Sequence, residues 1–268
     1  MPYNILYIYN LNPNTMNKIR LTLLAVVAIT ALVSCTKETK CTLESLAYSN
    51  DISSTYEYDS QNRISRINLY DAMMGSTLAA YYTIHRNEDG KIESIDYRTG
   101  AGIAIYYYVV TYNVNNYLGV VHLFENSQPD FIADELHSSI YYYYGNDEKV
   151  DSTVMLFSGL KRSTALTWTD DHITGLSHRF NNVLQYSRTF VYDNYNGAFS
   201  DIAEVEQIIG FDIGEPSVRS FSKNNVIQMS HYDDLGGLIG TYDYPHTANA
   251  DGYIELYNGA ASLNYHCE

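Results

Sequence analysis

The chain has 268 residues, 46% of them hydrophobic, and sets 31 acidic against 16 basic residues for a formal net charge of −15. So acidic a balance argues against a nucleic-acid partner, whose phosphates are held by clustered Lys and Arg, while the length is enough to bury a sizeable core. Tyrosine stands out at 28 residues against eight Phe and one Trp, and Pro is scarce at five. That composition points to an all-β protein, because aromatic rings suit a pleated, half-buried surface.

Residues 1–15 carry no Lys or Arg and hold Pro2 and Pro13, so they read as an upstream extension, with Met16 as the expected natural start. From Met16 the order is that of a secretory signal over 16–34. A positive stretch at Asn17-Lys18-Ile19-Arg20 precedes an apolar run over 21–31, and Leu32-Val33-Ser34 leads to a lone Cys35. The apolar run falls short of the roughly 20 residues that cross a bilayer as a helix. Val33-Ser34-Cys35 resembles the lipobox of bacterial lipoproteins, which implies cleavage before Cys35, lipidation of its thiol and a short tether over 35–40. A plain signal peptide cut elsewhere is the rival reading. Loss of 1–34 would remove Lys18 and Arg20 and no acid, leaving the exported body more acidic still. Several acyl chains, at about 0.8 kcal/mol per buried methylene, would hold it on a membrane with no spanning segment.

From Cys41 onward, over 41–268, a degenerate unit recurs. Tyr56-Glu57-Tyr58-Asp59 followed by Asn62-Arg63-Ile64 sets it. It returns at Tyr82 to His85 with Asp89-Gly90-Lys91-Ile92, at Val110 to Asn113 with Asn115 to Leu118, and at Tyr142 to Gly145 with Asp147 to Val150. Further copies run from Leu166 to Trp168 with Asp170 to Ile173, and from Phe190 to Asp193 with Asn196 to Phe199, with weaker ones at 221–229 and 242–254. The unit is strand, polar turn, strand: period two puts Tyr56 and Tyr58 on one face, and Asn, Asp and Gly accept the positive φ of tight hairpin turns. At about 12–15 residues per arm and turn, the expectation is an antiparallel meander of about eight hairpins closing into a single large β-barrel, since closure removes open edges. Two stretches break the rhythm. Residues 126–138, opening on Asn126-Ser127-Gln128-Pro129, read as a loop with one helical turn, and Ile202, Val205, Ile208 and Ile209 fall at helical spacing before Gly210. Either is a short helical insertion at a barrel mouth or a longer surface connection. Cys41 and Cys267 stand at the two ends of this domain, and in an oxidising compartment a disulfide between them would join the first and last strands. Two free thiols or a bond between chains are the alternatives.

The lipobox, the Tyr-x-Tyr-Asp hairpin unit and the terminal Tyr265-His266-Cys267 together resemble lipoproteins of Bacteroides-group bacteria carrying a domain of unknown function with a porin-like β-barrel fold. The hairpin copies are also similar to the YD repeats of Rhs-type proteins, for which carbohydrate binding has been suggested. Asp171-His172 departs from the usual Gly-Arg or Gly-Lys of that unit. The resemblance implies a fold and an address at the cell envelope, on the periplasmic or surface side of the outer membrane, and it brings no catalytic residue.

Chemistry-bearing motifs are sparse. The eight histidines show no zinc-type spacing, and Asp193-Asn194-Tyr195-Asn196-Gly197 puts Tyr195 at a ligand position of a calcium loop, so a turn is the better reading; neither metal nor cofactor is expected. No Gly-x-Ser-x-Gly elbow and no phosphate-binding glycine loop occurs. Exposed tyrosines are the candidate contacts: Tyr106, Tyr107, Tyr108, Tyr141, Tyr142, Tyr143 and Tyr144 form consecutive runs whose rings must project from both faces of a strand. The expectation is therefore a non-catalytic module that binds a glycan, a peptide or an envelope protein. A polysaccharide hydrolase with an Asp/Glu pair is the alternative, because such a pair is defined by its separation in space.

Overall fold

The computed structural model describes residues 41–48, 52–71, 77–126, 134–195, 197–210, 216–257 and 261–267. The expected upstream extension, the signal peptide, Cys35 and the tether lie outside the described residues. Seventeen strands carry the chain: β1 (Cys41–Tyr48), β2 (Ile52–Tyr58), β3 (Ile64–Asp71), β4 (Thr77–Arg86), β5 (Ile92–Thr99), β6 (Ala104–Tyr112), β7 (Leu118–Asn126), β8 (Asp134–Tyr144), β9 (Val150–Phe157), β10 (Leu160–Thr169), β11 (His172–Phe180), β12 (Val183–Tyr192), β13 (Val226–Tyr232), β14 (Leu238–Asp243), β15 (Thr247–Ala248), β16 (Ile254–Tyr257) and β17 (Ala261–Cys267). A seven-residue helix, α1 (Ala203–Ile209), interrupts them between β12 and β13.

The strands form an antiparallel meander. Each strand from β1 to β13 pairs with the next, as do β15 with β16 and β16 with β17. The two extremities meet, as the sequence leads one to expect: β17 pairs with β1 from Cys41↔Cys267 to Tyr48↔Ala261. A disulfide joins Cys41 to Cys267 across that pair, with Cα atoms 4.0 Å apart.

The expected closed barrel does not form, and the meander holds more than eight hairpins. Among the described residues no strand register joins β14 to β15. Strand sense gives the reason. Following the antiparallel pairs from β1 in both directions assigns β14 and β15 the same sense, so they are two pieces of one interrupted strand, the first bound to β13 and the second to β16. Pro245 marks the interruption, since it has no N–H to give to a ladder. Before it, the Tyr244 N–H still reaches the Ile227 oxygen at 2.8 Å. After it, His246 turns inward to Asp193, with Nε2 2.8 Å from Oδ2, and stacks on Tyr257 at 5.5 Å.

The hairpin unit owes its sequence to one turn. Asp59 donates its N–H to the Arg63 oxygen, while its Oδ1 accepts the N–H groups of Gln61 and Arg63, each at 2.9 Å. Asn113, Asp233 and Asn249 make the same pair of side-chain bonds in their own turns. The fourth residue of each turn is left-handed: Asn62 (φ 59°), Asn116 (φ 68°), Gly236 (φ 83°) and Gly252 (φ 82°). An Asx cap followed three residues later by Asn or Gly thus closes the hairpin and sets its register.

Alternation then builds the core. Ile84 faces Ile95, and Val110 faces Val121 and, beyond it, Ile140; all five are buried on one face of the sheet. Each such side chain contributes roughly 1.5–3 kcal/mol over exposure. Ile202, Val205 and Ile208 bring α1 into the same core, so the helical spacing read from the sequence marks a buried insertion. The copy at 190–199 therefore forms no hairpin. Asp193 caps Tyr195 but also exchanges backbone and side-chain bonds with Asn225, closing the neck of an insertion that spans 193–225. The helical turn expected within 126–138 is absent from its described part: Asn126 ends β7 and 134–138 begins β8, where Ser138 and Ile140 alternate onto the core face. Residues 127–133 lie outside the described residues.

Candidate functional site

The turns at 59–63, 87–91, 113–117, 145–149 and 170–171 lie at one end of the meander, because each joins an even strand to the next odd one. Here the basic residue of the repeat acquires a role. The residue that follows the left-handed turn position reaches sideways to the carbonyl of the left-handed residue in the next turn. Arg63 donates to Gly90 at 3.3 Å, Lys91 to Asn116 at 3.3 Å, and Lys149 to Asp170. A Cβ at Gly90 would stand 2.2 Å from the Arg63 Nη1 and displace that guanidinium, and the left-handed φ of 81° there favours glycine in any case. The same side chains cover the ring that ends the neighbouring strand: Lys91 lies 4.7 Å over Tyr112, and Lys149 5.3 Å over Trp168. At the corresponding place Tyr117 stacks on Tyr144 at 5.0 Å and bonds to Glu148. An aromatic residue before one turn and a cationic or aromatic residue after the previous one thus form a lateral seam of cation–π and ring contacts.

Within this rim lies a cleft of about 340 Å³. Tyr112, Tyr117, Tyr144 and Trp168 line it from the strands and turns, with Glu148 and Lys149 beside them, and Glu204, Gln207 and Ile208 line it from α1. The polar groups are oriented by second partners. Arg86 holds a Glu204 oxygen at 2.8 Å, Gln207 donates to the Ser220 oxygen at 3.0 Å, and the Trp168 Nε1 donates to the Val150 oxygen at 2.9 Å. Burial, aided by the Glu204 carboxylate, pushes the Tyr112 hydroxyl up to about 12, and burial does the same to Tyr144. The bond to Glu148 raises Tyr117 as well. All three phenols therefore stay protonated at neutral pH and can donate hydrogen bonds. The arrangement offers flat apolar faces beside carboxylate, amide and ammonium groups, which suits an amphipathic ligand.

Of the seven tyrosines singled out in the sequence, Tyr144 alone lines this cleft. The runs do split between two faces. Tyr106, Tyr108 and Tyr142 lie on the core face with Val110 and Ile140, and the Tyr142 hydroxyl donates to the main-chain oxygen of Gln207. Burial drives Tyr108 up to about 12 and Tyr142 well above the ordinary phenol value. Tyr106 stands 6.1 Å from Tyr97 in a ring ladder that begins at Tyr82. Tyr107, Tyr141 and Tyr143 take the opposite face, where Tyr143 is 51% exposed and Tyr107 lies 6.5 Å from Phe124. Sequence reading missed Tyr112, Tyr117, Trp168, Glu204 and Gln207. The first three had a usable signal, their place immediately before or after a turn; the last two come from an insertion whose docking the sequence does not record.

No family model matches the chain, and no curated protein matches it. Solved structures do. The chain is similar to a porin-like protein from Bacteroides uniformis ATCC 8492, at 12% identity over 84% of this chain and 96% of that one, with a TM-score of 0.37. A porin-like protein from Bacteroides vulgatus ATCC 8482 shows 13% identity over 84% and 98%, with a TM-score of 0.42. A TcdB2-TccC3-TEV structure shows 10% identity over 82% of this chain and 16% of that one, with a TM-score of 0.22.

Proposed function

We propose that this protein is an exported, lipid-anchored envelope protein that acts as a non-catalytic binding module, holding a short stretch of glycan in the cleft at the turn end of the meander. The observation that carries the reading is the convergence of Tyr112, Tyr117, Tyr144 and Trp168 with Glu148, Glu204 and Gln207 in one open cleft. Sugar rings present an apolar C–H face and a hydroxyl edge, and such a lining meets both. Export and anchoring through Cys35 are supported by the signal-like order before it, and the Cys41–Cys267 disulfide fits an oxidising compartment. The test is binding of the protein to a glycan array, compared with Tyr144→Ala and Trp168→Ala variants. Retention of a set of related glycans by the wild type and its loss in both variants supports the reading; no retained glycan, or equal retention by the variants, overturns it.

Glu148 and Glu204 line the same cleft, which is the specific observation in favour of a hydrolase. Against it, Arg86 occupies one Glu204 oxygen and Tyr117 bonds to Glu148. Incubation of any retained oligosaccharide with the protein, followed by mass spectrometry, separates the two: cleavage abolished by Glu148→Gln or Glu204→Gln identifies the enzyme.

A further inference from the structure

The outer side of β14 is built as a docking edge, and we propose that it accepts an extended, lysine- or arginine-bearing segment of a partner protein by β-strand addition. β14 pairs in register with β13, and no strand register joins it to another strand among the described residues. Because the Tyr244 N–H points to Ile227, period two sends the N–H groups of Tyr242 and Gly240 the same way. The N–H and C=O groups of Thr241 and Asp243 therefore point away from β13, toward the interruption in the sheet. The strand is bare on its faces as well, with Leu238 59%, Ile239 58% and Tyr242 48% exposed.

Sheet edges are commonly protected by Lys, Pro, a bulge or a covering element. Residues 238–243 contain neither Lys nor Pro, and their register shift lies at the start, opposite His231 and Tyr232, leaving 240–243 regular. Charge decides the occupant. From 224 to the end of the chain there is no Lys or Arg, whereas Asp233, Asp234, Asp243, Asp251 and Glu255 are acidic. Both sides of the interruption, β14 and β15–β16, come from this stretch. A second copy would bring the same uncompensated acids to the junction, whereas a basic segment complements them. Main-chain bonds to Thr241 and Asp243 would supply the affinity, and alternate basic side chains beside the acids the selectivity.

The test uses the full chain and two labelled peptides of about eight residues, one alternating lysine with valine and the other glutamate with valine. The lysine peptide is expected to bind saturably at low salt and to slow hydrogen exchange at the Thr241 and Asp243 amides, while the glutamate peptide does neither. Thr241→Pro removes an outward N–H and no main-chain bond to β13, at the loss of the exposed hydroxyl contact between Thr241 and Ser230, so it is expected to weaken binding by about tenfold or more while the near-UV circular dichroism is kept. Asp243→Lys, which leaves the main chain intact, is expected to shift preference toward the glutamate peptide and carries the test should the proline variant fail to fold. Equal binding of both peptides, binding without protection at Thr241 and Asp243, or an indifferent Asp243→Lys variant overturns the proposal. So does a dimer of the free protein that Thr241→Pro dissolves, because the occupant is then a second copy.

Discussion

Tyr142 on the core face of β8 and Gln207 in α1 are joined by a hydrogen bond from the phenol to the main-chain oxygen, which fastens the insertion to the sheet from within. Arg86 of β4 grips Glu204 of the same helix. The apolar contact should nevertheless outweigh these bonds, because Ile208 is fully buried and its loss leaves a cavity. Ile208→Ala is expected to cost about 2–5 kcal/mol, against about 0.5–1.5 kcal/mol for Tyr142→Phe. Urea unfolding of the two variants checks the order.

The Cys41–Cys267 bond closes a loop with a sequence separation of 226, nearly the whole folded body. Loop entropy sets its contribution at about 5 kcal/mol, and measured cases run from near zero to that figure. Reduction, or the paired change Cys41→Ser and Cys267→Ser, is expected to lower the melting temperature by on the order of 10 °C and to speed amide exchange in β1 and β17 first. Calorimetry with and without reductant, followed by hydrogen exchange, reads both.

Asp59 caps its turn by accepting side-chain and main-chain bonds from Arg63, and these hold its carboxyl down from 3.8 to about 2. A depressed value in the folded state means that the carboxylate's contribution is complete above about 4 and drains away as pH falls toward 2. Carbon-detected titration should place the Asp59 midpoint near pH 2, and Arg63→Ala should return it toward the ordinary range.

His178 is buried beside Thr164, its Nδ1 3.0 Å from the hydroxyl, and its ring stacks on Tyr186 at 5.0 Å. Burial, then the charges of Arg162 and Arg188, lower its pKa below 6.5. The unfolded chain takes up that proton first as pH drops, so the contribution is complete above about 6.5 and is lost as pH falls through the lower folded value. Stability measured by urea midpoints should therefore fall with acidification in this window, and His178→Gln should flatten the slope.

Much of the sheet is legible residue by residue. Asp59 and Asn62, or Asn113 and Asn116, announce a hairpin because the same short stretch supplies both the cap and the left-handed residue; Tyr56, Tyr58 and Ile67 announce the core face by period two. The pattern misleads at Asp193, whose side chain serves Asn225 and His246 as well as its own turn. It misleads again at the tyrosine runs, where alternation tells which rings share a face but not which face meets solvent.

Local chemistry, read along the chain, determined the β-class, the hairpin unit and the helical spacing of Ile202, Val205 and Ile208. Only the tertiary structure decided that Pro245 divides one strand so that the sheet stays open beside β14, and that Glu204 and Gln207 stand among Tyr112, Tyr144 and Trp168. Turns and strand alternation arise from neighbours within a few residues, whereas an open edge and a cleft depend on which distant segments reach the same place.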